Sequence, residues 1–297
     1  MKTISVFLSA LAALTLAFTC QAAEQRRAEH VFIVSFDQGA PRIIQQADMP
    51  TYMKMFNEGA HTWEAYTVVP SLTLPSHTSM LTGVGVQKHQ LTWNDFAPEK
   101  GIIKIPTIFS LAKEAGLTTA MVAGKEKFRQ LAIANSLDTL LIPGGCTAVA
   151  EAFATKVAPL KPNLCFIHFA DPDLTGHQFG VGSKEQFAAL NSSDKALEKI
   201  RAAVEAAGIA DTSVFILTSD HGGHNEPDPI KNTIGAHGSA QSDDVLIPWI
   251  AWGKGVKKNF EITKPVVTYD TAATALWLLG VPIPDSFWGR PVTTAFE

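Results

Sequence analysis

Four short stretches hold the side chains with chemistry in them. Asp37 ends an apolar run. Pro70-Ser71-Leu72-Thr73-Leu74-Pro75-Ser76-His77 sets hydroxyls among turn formers, with Thr82-Gly83 behind it. Asp173-Leu174-Thr175-Gly176-His177 spaces a carboxylate and an imidazole four apart, and Ser219-Asp220-His221-Gly222-Gly223 is followed downstream by His237-Gly238. Carboxylate oxygen and neutral imidazole nitrogen are donors that zinc accepts, and three protein donors per ion leave one coordination place open. Two such ions can clamp the attacking and leaving oxygens of an in-line displacement, and a threonine hydroxyl, a poor nucleophile at neutral pH, is activated by coordination. Taken singly, each stretch has a plainer reading: Asp37 as a turn former or helix cap, Asp173 with His177 as a surface ion pair. Their joint occurrence is what points to metal chemistry.

The elements that must position these residues alternate along the chain. Val31-Phe32-Ile33-Val34-Ser35-Phe36 is a continuous apolar run that reads as a buried central strand. The same pattern returns at residues 120–123, 164–169, 214–217 and 247–252. Between the runs, residues 108–115, stopped by Gly116, and 184–207, stopped by Gly208, read as helices; Phe187, Leu190, Leu197, Ile200 and Val204 share one face of the longer one. Alternating strands and helices predict an α/β fold, a three-layer α/β/α sandwich with a mostly parallel central sheet, whose ligands bind beyond the carboxyl ends of the strands. Asp37, the pair Asp171 and Asp173, and Asp220-His221 then reach one rim from three different strands. The loop Thr73-Leu74-Pro75-Ser76 is expected to lead into a helix from Ser76 to Leu81, turning backbone N–H groups toward a bound phosphate. No internal repeat or low-complexity tract interrupts the pattern.

In order and spacing these clusters resemble the alkaline phosphatase superfamily, most closely its nucleotide pyrophosphatase/phosphodiesterase branch and the phosphonoacetate hydrolase relatives. The resemblance runs over roughly residues 30 to 290. It implies two Zn2+ ions, or other divalent metals, at the strand ends. Asp173, His177 and His237 match the ligands of one ion, and Asp37, Asp220 and His221 match those of the other. Thr73 matches the nucleophile and lies between the metals as a ligand. Asn94, some twenty residues on, stands where the family places a donor to a non-bridging phosphate oxygen, a role of oxyanion stabilisation. Lys125 and Lys127 resemble the lysine pair by which phosphomonoesterase and phosphonoacetate hydrolase relatives grip a dianionic group. Two positions depart from the nucleotide pyrophosphatase pattern: Leu74 replaces the Phe that commonly follows the nucleophile, which weakens a nucleotide-substrate reading, and Ser76 replaces an Asn. The implied activity is hydrolysis of phosphoric esters, as a phosphodiesterase or phosphatase, through a phosphothreonine on Thr73, with a small phosphorylated substrate.

Composition is compatible with that reading. With 297 residues, 46% hydrophobic and 18% charged, the chain can bury a substantial core. Lys2, the apolar run Val6 to Phe18 and the small residues before Ala23 form a secretory signal pattern. Cleavage is expected after Ala22, leaving 23–297 as a single catalytic domain, exported to a periplasm or secreted. A lipid anchor on Cys20 is the less favoured alternative, because Phe18 stands where small residues are usual. That run is too short for a comfortable membrane span, and no later segment offers about 20 uninterrupted apolar residues, so no stable membrane span is expected. Loss of residues 1–22 removes one Lys and no acid, taking the formal charge from −4 to −5, which argues against a nucleic-acid polymer as partner. Cys146 and Cys165 are read equally as a disulfide or as two buried thiols.

Several other residues read as scaffolding. His77, one turn along the expected helix, reads as a structural hydrogen-bonding group, and His168, inside an apolar run, as a core group or a support to a metal ligand. His224 is a possible substrate contact. Among rival functions, a sulfatase shares the late Asp-His-Gly pattern, but its Cys or Ser-x-Pro-x-Arg motif is missing. Carbon–phosphorus cleavage of a phosphonate suits the lysine pair. A non-catalytic anion-binding relative is the reading outside enzymes.

Overall fold

A computed structural model of the protein describes residues 26–297; the secretory signal read at 1–22, its cleavage point and Cys20 lie outside the described residues. Eleven strands are present among the described residues: β1 (His30–Phe36), β2 (Ala60–Tyr66), β3 (Thr119–Ala123), β4 (Thr139–Leu141), β5 (Leu164–Phe169), β6 (Ser213–Thr218), β7 (His224–Asp228), β8 (Thr233–Ala236), β9 (Leu246–Gly253), β10 (Phe260–Glu261) and β11 (Val266–Val267). Nine form one sheet in the order β10-β2-β9-β6-β1-β5-β3-β4, with β11 also pairing β2. β7 and β8 form a separate antiparallel hairpin.

The sheet is mostly parallel, as its apolar runs predict. β1 lies between β5 and β6 and is parallel to both, with Val31 opposite Leu164 and Val214. β9 alone runs the other way, antiparallel to both β6 and β2. Every residue of β1, β5 and β6 is buried, because helices cover both faces. Alternate residues of β1 enter two different cores. Val31 and Ile33 pack with side chains from helices Thr73–Thr82, Ile108–Glu114 and Asp270–Leu279. Phe32, Val34 and Phe36 pack with Pro50–Glu58, Cys146–Ala152 and Lys184–Ala206 on the opposite face.

Local signals set the helix limits. Ser183 accepts a hydrogen bond from the Gln186 backbone at the start of the 23-residue helix Lys184–Ala206, which gives way to Gly208 at φ +70°. Its Leu190, Leu197, Ile200 and Val204 are buried, as their spacing predicts. Thr107 and Ser110 cap Ile108–Glu114 reciprocally. The helix expected at 76–81 is longer, Thr73–Thr82, so Thr73 is its first residue and not part of a preceding loop. Trp249 is fully buried and donates to Thr271 Oγ1, whereas Trp288 is half-exposed. Cys146 and Cys165 are both free thiols in the core, which decides against the disulfide. No helix of the described residues is long and apolar enough to cross a membrane.

Candidate metal centre

Four adjacent parallel strands, β6, β1, β5 and β3, end at the same edge of the sheet. Asp37 follows β1 directly, and its backbone N–H donates to Phe169 O, extending the ladder by one bond. Asp220 and His221 follow β6, while Gly124 and Lys125 follow β3. After β5 the chain turns into the helix Asp171–Phe179, with a proline in its first turn, and Asp173 and His177 lie one turn apart on it. Gly176 has a packing reason: a Cβ there would meet Gln38 Oε1 at 1.8 Å. The absence of a side chain lets the helix seat against Gln38, the residue after Asp37.

The six predicted ligands converge. Donor atoms of Asp173, His177 and His237 lie within 4.8 Å of one another, as do those of Asp37, Asp173 and His221. Asp173 therefore belongs to both groups, and Asp220 stands beside the second, its Oδ2 3.2 Å from His221 Nε2. The Thr73 hydroxyl lies 3.4 Å from the same nitrogen. Asp37, Asp220 and His221 are sealed from solvent, whereas the His177 side chain is 32% exposed and opens the first group to a cleft of about 570 Å³. That cleft is lined by Leu72, Asn94 and the β7–β8 hairpin.

Hydrogen bonding fixes which ring nitrogen each imidazole presents. Nδ1 of His177 faces Gly235 O at 2.8 Å, Nδ1 of His221 faces Gly222 O at 2.8 Å, and Nδ1 of His237 faces Ser71 O at 3.0 Å. A carbonyl only accepts, so each Nδ1 carries the hydrogen and each Nε2 of a neutral ring presents a lone pair. The Nε2 atoms of His177 and His237 approach to 3.1 Å, and the rings of His221 and His237 stack at 3.8 Å. Facing them are Asp37 Oδ1, Asp173 Oδ1 and Asp220 Oδ2, buried oxygens that accept no hydrogen bond. Lone pairs converging on lone pairs repel unless cations lie among them. This donor set of oxygen and imidazole nitrogen fits zinc.

Electrostatics point the same way. Burial, reinforced by His237, holds His221 down at about 3, so the ring is neutral at physiological pH. Burial and the repulsion of Asp37 push Asp220 well above the usual carboxylate range. Asp37 is held well below it: burial opposes ionisation, but Lys125, His168 and His221 outweigh it. Asp173 is lowered too, burial and Asp37 being overcome by Lys125 and His237. His237 is raised, burial notwithstanding, by its contact with Asp173.

Supporting residues complete the site. His168 Nε2 donates to Asp37 Oδ2 at 2.9 Å, with its Nδ1 accepting from Gly124 N. His77 Nδ1 donates to Thr73 O at 2.7 Å, fixing the first turn of the Thr73 helix, and its Nε2 accepts from Ser35 Oγ. Asn94 Oδ1 accepts from Leu74 N at 2.9 Å and from Lys127 Nζ at 3.2 Å. Lys125 Nζ lies 2.6 Å from Asp37 Oδ2 and 2.5 Å from Asp173 Oδ2. The phosphate cradle expected of this turn is narrower than the sequence implies: Leu74 N serves Asn94, Pro75 has no N–H, and Ser76 N bonds Leu72 O. Thr73 N–H is the donor left over. His224 is engaged away from the centre, with Asp244 Oδ1 at 2.7 Å and Glu226 at 3.3 Å.

Sequence reading missed the group that holds His237 in place. Buried Asp244 accepts from His224 through Oδ1 and from Ser239 N through Oδ2. Ser71 Oγ donates to Ser239 O and accepts from Gly238 N, while Ser71 O holds His237 Nδ1. These bonds tie the His237 loop to the segment just before Thr73. The acidic pair Asp243-Asp244 in the sequence is the signal that could have drawn notice to it.

Residues 31–122 and 123–264 match the type I phosphodiesterase / nucleotide pyrophosphatase family model, and the chain belongs to that family and thereby to the alkaline phosphatase superfamily. Ectonucleotide pyrophosphatase/phosphodiesterase family member 7 of Mus musculus is 22% identical over 225 residues, 66% of this chain and 50% of the relative. GPI ethanolamine phosphate transferase 1 of Aspergillus oryzae is 24% identical over 267 residues, 79% of this chain and 24% of that protein. The chain thus spans about half the length of the first of these curated relatives and about a quarter of the second. Among solved structures, murine ectonucleotide pyrophosphatase/phosphodiesterase 5, in an inactive threonine-to-alanine variant bound to AMP, superposes with a TM-score of 0.74 at 18% identity, covering 91% of this chain and 100% of that one. A 2-O GAG sulfatase superposes with a TM-score of 0.69 at 14% identity, covering 90% and 74% respectively. Both share the fold.

Proposed function

We propose that this chain is a two-zinc hydrolase of phosphoric esters that acts through a phosphothreonine on Thr73, with residues 23–297 as one catalytic domain. The observation that carries the reading is the convergence of Asp37, Asp173, His177, Asp220, His221 and His237 around the Thr73 hydroxyl. Zinc ions, when bound, would supply Lewis acidity that lowers the pKa of a coordinated hydroxyl and offsets charge on the transferring group. Thr73 Oγ1 attacks phosphorus as the bond to the leaving oxygen breaks. Water then cleaves the new ester, returning the threonine and releasing the phosphoryl product. Asn94, with Oδ1 taken by Leu74 N and Lys127, has its NH₂ group available to a non-bridging oxygen, and the Thr73 N–H is a second donor. Helix Thr73–Thr82 holds the nucleophile on a rigid element, so positioning is already in place before substrate arrives.

The cleft beside the site supports a compact substrate. Leu74 is fully buried and is not a wall on which a base could stack, and the cleft's rings are the imidazoles of His177 and His237. The apolar run from Val6 to Phe18 supports an exported protein, periplasmic or secreted.

The test is a zinc-reconstituted protein assayed on p-nitrophenyl phosphate, bis-p-nitrophenyl phosphate, phosphonoacetate and p-nitrophenyl sulfate, with and without chelator. Chelator-sensitive turnover of a phosphorus ester is expected. Thr73→Ala should keep its zinc and lose about 10³-fold or more in turnover. Undiminished turnover in that variant would end the nucleophilic role, and activity confined to the sulfate ester would replace the phosphoryl reading.

A further inference from the structure

Lys125 does not stand at the mouth of the site. Its side chain is 13% exposed, and its ammonium bridges Asp37 Oδ2 and Asp173 Oδ2, carboxylates delivered by the neighbouring strands β1 and β5. The division of oxygens is consistent. Each Oδ2 is tied to the ammonium, and Asp37 Oδ2 also takes the His168 bond. Each Oδ1 accepts no hydrogen bond and faces imidazole nitrogens: Asp37 Oδ1 lies 3.4 Å from His221 Nε2, and Asp173 Oδ1 lies 3.3 Å from Nε2 of both His177 and His237. Lys127 is placed differently, with its ammonium against Asn94 Oδ1.

We infer that Lys125 is a built-in counter-ion of the metal centre, a positioning residue that holds the carboxylates together before ions bind and turns their Oδ1 atoms toward the histidines, leaving Lys127 to meet the substrate's charge. The inference rests on the two-metal reading. Its physical basis is competition within one field. A buried group of three carboxylates needs positive charge, and without ions Lys125 is the cation in direct contact with two of them. Once divalent ions are present, the same fixed charge repels them. Lys125 therefore stabilises the metal-free protein and loosens its metals, and a neutral replacement must reverse both effects. Both effects are read in melting, since metals that bind a variant more tightly also stabilise it more and so offset the stability it loses without them.

The parent protein, Lys125→Met and Lys127→Met are melted in excess chelator and in saturating zinc, with zinc affinity measured by competition with a chromophoric chelator. Lys125→Met should melt about 5 °C below the parent in chelator. Zinc should at least halve that gap, and the variant should bind zinc about tenfold more tightly. Lys127→Met should show neither effect. Equal melting of Lys125→Met and parent in chelator, or a gap that zinc leaves unchanged, overturns the inference while leaving the two-metal reading intact. Zinc that shifts the melting of none of the three proteins defeats that reading, and the inference with it. Should Lys125→Met fail to fold even with zinc, Lys125→Arg decides: retained charge should preserve parent-like melting in chelator, and its loss overturns the proposal.

Discussion

Two sets of histidines sit within a few residues of the same motifs, yet their surroundings differ. His177, His221 and His237 each give an Nδ1 hydrogen to a backbone carbonyl and turn Nε2 toward carboxylate oxygens that accept no hydrogen bond. His77, His89 and His168 use both ring nitrogens within the protein. His77 bridges Thr73 O and Ser35 Oγ, His89 joins Leu91 N to Ser79 Oγ, and His168 joins Gly124 N to Asp37 Oδ2. Burial does not separate the two sets, because His77, His168 and His221 are all fully enclosed. What separates them is whether a nitrogen is left with its lone pair uncommitted, which makes one set available to a cation and the other part of the scaffold.

The largest effect expected from this contrast is in metal content. His221→Ala and His237→Ala should lose zinc and about 10³-fold or more in turnover. His168→Ala should keep both ions, with affinity reduced about 10- to 100-fold through a less well-held Asp37. Zinc analysis of the purified variants checks this, and a His168→Ala protein as metal-poor as His221→Ala would break the distinction. A smaller effect is expected at Asp244, whose carboxylate secures the His237 loop through Ser239 N. Asp244→Asn should weaken zinc binding by about tenfold, read by chelator competition. An unchanged affinity would show that the loop is held by Ser71 alone.

The last effect concerns acid, and it is read in stability and not in metal affinity. Burial lowers His89 to about 4, and its Nδ1 accepts a backbone N–H, which requires the neutral ring. With the folded value below the unfolded one of about 6.5, the unfolded chain gains the proton first as pH falls. Stability from the neutral ring is complete above that unfolded value and is lost on descending to about 4. The stability difference between the parent and His89→Gln, from urea unfolding at each pH, should therefore shrink by on the order of 2 kcal/mol between about pH 7 and pH 4. A difference that stays constant would remove His89 from the scaffold set as a proton-sensitive member.

Much of this was legible in the sequence because central parallel strands are buried on both faces. Residues 31–36, 164–169 and 214–217 are continuous apolar runs, and the polar residues that end them mark the rim of the sheet. The run at 247–252 was equally plain, but its antiparallel direction was not, since apolar patterning carries no sense of chain direction. β2 escaped notice because Ala60–Tyr66 mixes His61 and Glu64 into a half-buried edge region with an irregular register. The β7–β8 hairpin, with Pro227 in a mostly exposed polar segment, offers no periodicity to read. The candidate ligands could be named from the sequence, and so could the group of Asp173, His177 and His237, but the overlap of the two groups could not. Asp173 joins both donor groups, and Lys125 spans Asp37 and Asp173, through distances no linear spacing encodes.

His221 and His237 stand at the two feet of the β7–β8 excursion, and each foot is pinned independently. Gly222 and Gly223 donate to Asp244 O and Asp243 O, and His237 is fastened to Ser71. The tip, where Ile230 is 95% exposed, bears no part of that fastening. Evolution or a protein engineer can therefore lengthen, shorten or exchange the tip of the hairpin, short of Asn225, which ties to Val181, and of Gly235, whose carbonyl holds His177, remodelling one wall of the cleft while the imidazoles stay in register.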